Sequence, residues 1–326
     1  MLGPAGTPPI RDNRDPGPST EEYAVKAIQF DTFGGPEVLH EVDIDKPAPG
    51  PDEVQVKVKR VGVNPFDGKV RSGFTRSFMT VNLPTVPGFE IAGVISAVGE
   101  GTTEFAVGDE VFGWSANGAY AEYAIGGTLL RKPEDLDWDI AVSLPVAVET
   151  AVRVLTELDI AKGETLLIHG ASGAVGSIAA QLAVQRGLTV IGTGSPANQE
   201  YIATLGATPT HYGPGLVDRV RALAPNGVDA VFDAAGKGAL PDSIELRGGT
   251  GRIVTIADPA AGELGVSMSA GGAPIPVADL AKAAESAARG ELTVTVAATY
   301  PLAEAAKAQE VVDGGHAGGK IVLVVD

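Results

Sequence analysis

The sequence predicts an α/β protein, with a mostly antiparallel, barrel-like first domain followed by a doubly wound domain on a parallel sheet. Three observations predict it. From Tyr23 to about Val146 the apolar text comes in short, β-branched runs punctuated by Gly and Pro. After Val146 strand-like runs alternate with runs of helical spacing, the pattern of βαβ units whose sheet is covered on both faces. Within that second half, HGASGAVG at 169–176 places its glycines between the apolar runs TLLI and SIAAQLAV.

Taken in order, the first-domain strands are AVKAIQF, EVQVKVKRVGV, EIAGVISAVG, DEVFGW and AYAEYAI. PVAVETAVRVLTEL then carries apolar residues at helical spacing and marks the domain boundary. Beyond it run TLLIH (strand), VGSIAAQLAVQR (helix), TVIGT (strand), NQEYIATLG (helix), LVDRVRALA (helix), DAVFDAA (strand) and GRIVTIAD (strand). After about Gly272 come the helix VADLAKAAESAARG, the strand LTVTVAATY, the helix LAEAAKAQEVVDGG and the strand KIVLVV, a segment expected to return to the first domain. The expected division is therefore 1–22 as a disordered tail, 23–146 with 272–326 as one domain, and 147–271 as the other.

Composition narrows the function. The chain has 326 residues, enough for two ordinary domains, with 44% hydrophobic and 20% charged residues. Forty-one acidic against 24 basic residues give a net charge of −17, which repels a phosphate backbone and excludes nucleic acid as a partner. The absence of cysteine removes disulfides, thiolate nucleophiles and Cys-ligated metal sites together. The first 22 residues hold no apolar core of a secretory signal, and no run reaches the roughly 18 apolar residues of a membrane helix. A soluble, cytoplasmic protein without a membrane partner is the expectation.

In a dinucleotide-binding βαβ unit, small residues after the first strand allow a tight turn and let backbone approach a pyrophosphate, which then faces the helix N-terminus. Here Ala171 takes the usual first glycine position, and Gly173 and Gly176 take the second and third. The alternative is a plain structural turn, because such a motif alone is weak. Its context, directly after a predicted strand and directly before a predicted helix, favours a cradle made by Gly170, Ser172, Gly173, Ala174, Val175 and Gly176. NAD-selective sites usually place an acid at the end of the second strand. This strand ends in Thr193, Gly194 and Ser195, and no acid occurs between Gly176 and Glu200. NADPH is therefore expected over NADH, although no Arg or Lys follows Ser195 to hold a 2′-phosphate, which leaves Ser195, Asn198 and Tyr212 as neutral donors.

Further motifs give the chain a family resemblance. KAIQFDTFGGPEVL, GVNPFDGKVRSG at 62–73, PGFEIAGVISAVGEG at 87–101, VGDEVFG, GAYAEYA, the glycine loop, LGA at 205–207 and GGKIVLVV stand in the order and spacing of one superfamily. From Ala24 to Asp326 the chain resembles the zinc-independent, quinone oxidoreductase-like (zeta-crystallin-like) branch of the medium-chain dehydrogenase/reductases. The resemblance implies a GroES-like barrel completed by the C-terminal segment, an inserted Rossmann domain, an active site in the cleft between them, and a homodimer.

The same resemblance bears on metal. Zinc-dependent members have Cys where this chain has Asn64, His where it has Phe89, and a Cys near Val146, and the four-Cys lobe after Val111 is missing. No catalytic zinc is expected, because Phe and Val cannot ligate it. The histidines His40, His169, His211 and His316 are too scattered for a helical metal pair and are read as surface or strand-end residues. Asn64 is the candidate catalytic residue, able to bond the nicotinamide or a substrate carbonyl; its rival reading is an Asx turn before Pro65. Asp67 is read as an orienting residue, Tyr120 chiefly as packing. Thr150, Tyr212, Ile256 and Ala257 complete the expected cofactor contacts, each weighed against capping or packing.

Together these readings predict hydride transfer from NADPH to a quinone or to the β-carbon of an α,β-unsaturated carbonyl. Two alternatives stand beside it: an enoyl-thioester reductase, for which PFDGKVRSGFTRSF lacks the expected tyrosine, and an NADPH-binding sensor without turnover.

Overall fold

A computed structural model describes residues 24–271, 274–315 and 317–325. The expected tail at 1–22 lies outside the described residues, as do the boundary residue Gly272 and His316.

The first half forms β1 (Ala24–Gln29), β2 (His40–Asp45), β3 (Val54–Val63), α1 (Pro65–Arg71), β4 (Glu90–Val98), β5 (Glu110–Ser115) and β6 (Tyr123–Arg131). In β3 Val56 and Val58 are buried while Lys57 and Lys59 are exposed, the alternation of a strand with one face on a core. The ladder runs β3-β4-β5-β6, and β6 pairs back onto β3, closing four strands into a barrel. The expected strand AYAEYAI begins only at Tyr123. Before that point Ala119–Glu122 divides its backbone bonds among Pro87, Ile28, Lys26 and Val58 rather than spending them on one ladder, and Tyr120 is wholly buried.

Helices α2 (Trp138–Ser143) and α3 (Pro145–Glu157) lead into β7 (Thr165–His169), α4 (Ala174–Gln185), β8 (Thr189–Gly194), α5 (Gln199–Thr204), β9 (Thr208–His211), α6 (Leu216–Leu223), β10 (Ala230–Asp233), α7 (Leu240–Arg247), β11 (Ile253–Thr255), α8 (Ala261–Leu264) and β12 (Ser267–Met268). All six strands are parallel, in the order β12-β11-β10-β7-β8-β9. Leu166, Leu167 and Ile168 of β7 are fully buried, as a central parallel strand covered on both faces requires. The chain leaves β7 in one direction through β8 and β9, then returns to build β10 to β12 on the other side. The switch between β7 and β10 opens a crevice at the carboxyl ends of those strands, where ligands of open α/β sheets bind.

In α3, Ala147, Val148, Ala151, Val154 and Leu155 are buried at helical spacing. Because α3 starts at Pro145, Thr150 lies in its second turn. Last come α9 (Val277–Ala288), β13 (Val296–Pro301), α10 (Ala305–Asp313) and β14 (Lys320–Val324). Leu280, Ala283 and Ala284 of α9 join the core shared by α3 and α4. Then β14 pairs antiparallel with β3 and parallel with β13, extending the barrel sheet. Among the described residues no helix is long and apolar enough to cross a membrane.

Candidate active site

The cofactor candidates from the glycine loop sit together at the switch point. Gly170 leaves β7 at φ +75, and the N–H of Gly173 turns back onto the Gly170 carbonyl at 3.0 Å. The backbone N–H groups of Ala174, Val175 and Gly176 form the first turn of α4, where no intrahelical carbonyl can reach them. They point at the crevice with the positive end of the helix dipole. Gly176 packs so closely on the turn that a Cβ there would stand 2.8 Å from the Gly170 carbonyl carbon and 3.0 Å from Ala171 Cα. Small residues, open first-turn donors and a switch-point crevice fit the pyrophosphate of a dinucleotide.

Supporting side chains lie beneath. Thr193 Oγ1 accepts the Gly170 N–H at 3.3 Å and meets His169 Nδ1 at 3.3 Å, while His169 Nε2 meets Ser243 Oγ at 2.9 Å. His169 is buried, and burial pulls its pKa below the usual imidazole range. Asn198 Nδ2 donates to Ser172 Oγ at 2.9 Å, linking the glycine loop to the turn that follows Gly194, the last residue of β8, and begins at Ser195. Tyr212 follows β9 and is exposed, and Ile256 and Ala257 follow β11, with Ala257 packed against Gly236 after β10.

Asn64 and Thr150 sit apart from that loop, on α1 and α3. Asn64 precedes Pro65 as the N-cap of α1, and Asp67 accepts its backbone N–H at 3.0 Å. The amide side chain is fully engaged. Its Nδ2 donates to Glu90 Oε2 at 2.7 Å, and its Oδ1 accepts from Lys320 Nζ at 2.7 Å. Lys320 Nζ also bonds Glu90, whose Oε1 takes the backbone N–H of Val146 at 2.6 Å. The ammonium of Lys320 thus stands beside Asn64, Glu90 and the first turn of α3. Gly62 makes room for it, since a Cβ there would lie 2.9 Å from Lys320 Cε.

From Asn64 the polar chain continues inward. Asp67 Oδ2 accepts Tyr120 OH at 2.9 Å, Gln309 Nε2 donates to the same hydroxyl at 3.3 Å, and Arg71 bonds both Gln309 and, at 2.8 Å, Asp313. Asp67 Oδ1 is buried and has no partner among the described residues. Burial raises the Asp67 pKa from 3.8 to about 7, and it also pushes the Tyr120 hydroxyl up.

Phe66 and Phe89 are half-buried, with ring centroids 5.5 Å apart. Lys69 lies one turn beyond Phe66 on the same face of α1. Among the described residues its half-buried ammonium has no hydrogen-bond or ion-pair partner, and burial lowers its pKa. Thr150 Oγ1 donates to Glu149 Oε2 at 3.2 Å, and Glu149 pairs with Arg153. Sequence reading missed Lys320, Glu90 and Lys69 as site residues. Lys320 and Glu90 stood inside the quoted motifs GGKIVLVV and PGFE, but only the tertiary fold brings them together.

A barrel sheet joined to a switch-point dinucleotide crevice defines a nicotinamide-dependent dehydrogenase/reductase, and the comparisons agree. Residues 50–129 match the alcohol dehydrogenase GroES-like domain family and residues 205–323 the zinc-binding dehydrogenase family. Human quinone oxidoreductase is 31% identical over 94% of this chain and 100% of its own. The NADPH-dependent alkenal/one oxidoreductase of Arabidopsis thaliana is 34% identical over 65% of this chain and 58% of its own. Escherichia coli quinone oxidoreductase, solved in complex with NADPH, superposes with a TM-score of 0.79 at 26% identity, covering 92% of this chain and 100% of its own. The chain belongs to the quinone oxidoreductase branch of the medium-chain dehydrogenase/reductase superfamily.

The buried carboxyl at Asp67 gives a pH prediction. A carboxyl raised from 3.8 to about 7 in the folded state binds more protons than the unfolded chain between those values, so its contribution to stability is present below 3.8 and lost as pH rises through about 7. The unfolding free energy of the native chain, taken relative to Asp67→Asn, is expected to fall by on the order of 4 kcal/mol between about pH 4 and pH 8. Urea unfolding of both proteins across that range checks it; a pH-independent difference would show that Asp67 titrates normally.

Proposed function

We propose that this protein is an NADPH-dependent, zinc-independent reductase of quinones or α,β-unsaturated carbonyls. The observation that carries the reading is the Lys320 ammonium held between Asn64 and Glu90. Asn64, Phe89 and Val146 stand where zinc-dependent members of the superfamily carry their ligands, and the polar pocket beside them already contains a cation. Phe and Val offer no metal-binding atom on their side chains.

Bound NADPH supplies a hydride. Without a metal to polarise a carbonyl, the chain must work by positioning and hydrogen bonding, which favours conjugated acceptors already prone to hydride addition. Asn64, fixed on both sides of its amide, shapes the cleft floor at the N-terminus of α1. The Phe66–Phe89 pair lines it with aromatic surface and keeps water away from the acceptor. Lys69 holds a proton at Nζ on the Phe66 face and delivers it to the oxygen that gains charge; hydride and proton together complete a two-electron reduction, and solvent recharges the amine. Thr150, Ile256 and Ala257 serve the nicotinamide half, while Gly194, Ser195 and Tyr212 serve the adenosine half. A cytoplasmic homodimer, paired through edge strands of the parallel sheet, belongs to the same proposal.

Purified protein mixed with NADPH and a panel of quinones and enones is expected to consume reduced cofactor, with no loss of rate in chelator. No turnover together with no cofactor binding would overturn the reading, and faster reduction of a crotonyl thioester than of any quinone or enone would move it to enoyl-thioester reduction. Lys69→Met is expected to lower kcat by about 10²-fold with NADPH affinity unchanged. An unchanged kcat would leave protonation to solvent alone.

A further inference from the structure

The second parallel strand ends without a basic residue, so the sequence by itself offers no charge to hold a 2′-phosphate. The fold supplies one from elsewhere. Gly194 at the end of β8 is the ladder partner of His211 at the end of β9, one strand spacing or about 4.8 Å away. Arg219 of α6 reaches back to this edge. Its Nη1 donates to the Pro214 carbonyl at 2.8 Å, and its Nη2 donates to the carbonyls of His211 at 2.8 Å and Gly213 at 3.2 Å. A longer contact runs from Nη2 to the carbonyl of Tyr212 at 3.5 Å.

All these acceptors are neutral. Among the described residues no carboxylate pairs with Arg219, and the exposed acids closest in sequence to this edge, Asp218 and Glu200, make no ion pair with it. Arg219 Nε is buried and has no partner among the described residues. A half-buried guanidinium is therefore held in place on the loop 211–214 with no carboxylate partner, next to the strand end that pairs with Gly194. Gln199 closes the same edge from the opposite side, donating to the carbonyls of Gly194 at 3.1 Å and Ser195 at 2.9 Å.

We propose that Arg219 is the cation that selects the phosphorylated cofactor, its guanidinium facing the 2′-phosphate while Ser195, Asn198 and Tyr212 contribute neutral hydrogen bonds. The inference rests on the NADPH reading above. Arg219 also staples the loop 211–214 that carries Tyr212, so charge and staple have to be separated.

The separation uses binding rather than turnover. Calorimetric affinities for 2′,5′-ADP and 5′-ADP are measured on the native protein, Arg219→Gln and Arg219→Lys. Arg219→Gln keeps amide donors for the loop carbonyls but loses the charge, and it is expected to bind 2′,5′-ADP about tenfold or more weakly with 5′-ADP affinity unchanged. Arg219→Lys is expected to keep most of the preference. Equal losses for both ligands, or no loss for either, would overturn the role of Arg219 and leave the cofactor reading standing. A native protein that prefers 5′-ADP would overturn both. Should the glutamine variant fail to fold, phenylglyoxal labelling of Arg219 in the native protein, read by peptide mass, is expected to be blocked by 2′,5′-ADP and not by 5′-ADP; equal protection by the two contradicts the proposal.

Discussion

A carboxylate with no solvent exposure is expensive to bury unless its charge and hydrogen bonds are met, and Glu90 is such a group. Three partners meet it: the Lys320 ammonium, the Asn64 amide and the Val146 backbone N–H. They come from β14, the N-cap of α1 and the first turn of α3. One buried ion pair therefore ties the last strand of the chain to the barrel, and the barrel to the helix that leads into the parallel sheet. The start of α3 adds the favourable end of its dipole to the same carboxylate. Because breaking such a pair strands the remaining charge, the elements around the cleft are held in register by electrostatics as well as by packing.

Cleft chemistry follows from that constraint. With its amide taken up by Lys320 and Glu90, Asn64 is fixed in place, and its backbone is held by Asp67, which in turn holds Tyr120. The polar interior runs on through Gln309 and Arg71 to Asp313, so α10 and α1 share one network. The crevice at the glycine loop is built differently, from backbone N–H groups, close-packed glycines and neutral side chains. The proposed site joins this ionic network to the glycine-loop crevice, an arrangement suited to holding a conjugated acceptor against a nicotinamide.

How far this was legible in the sequence depended on range. The run TLLIH and the glycine loop were readable because strand, turn and helix signals lie within a dozen residues. The buried stripe of α3 was readable from its 3.6-residue period. The strand β9, whose text is TPTH, was not, since it is short, polar and contains Pro; nor was the short helix α7. Tyr120 alternated like a strand residue, yet its hydroxyl finds Asp67 through a tertiary contact. Lys320 and Glu90 stood in recognised motifs, but nothing local signals that residues 230 apart will form one ion pair. Arg219 escaped notice because only the fold-back of α6 brings it to the loop after β9, whose last residue pairs with the end of β8.

The structure depends most on the buried Lys320–Glu90 pair, which ties the last strand to the barrel and to the start of α3. A double-mutant cycle on unfolding free energy tests it, using Lys320→Met, Glu90→Gln and both together. Either single change is expected to cost about 3–5 kcal/mol, while the double variant recovers a large part of that loss, giving a coupling energy of at least about 1 kcal/mol. Strictly additive single losses would mean that the two groups do not support each other, and the account built on their pairing would fail.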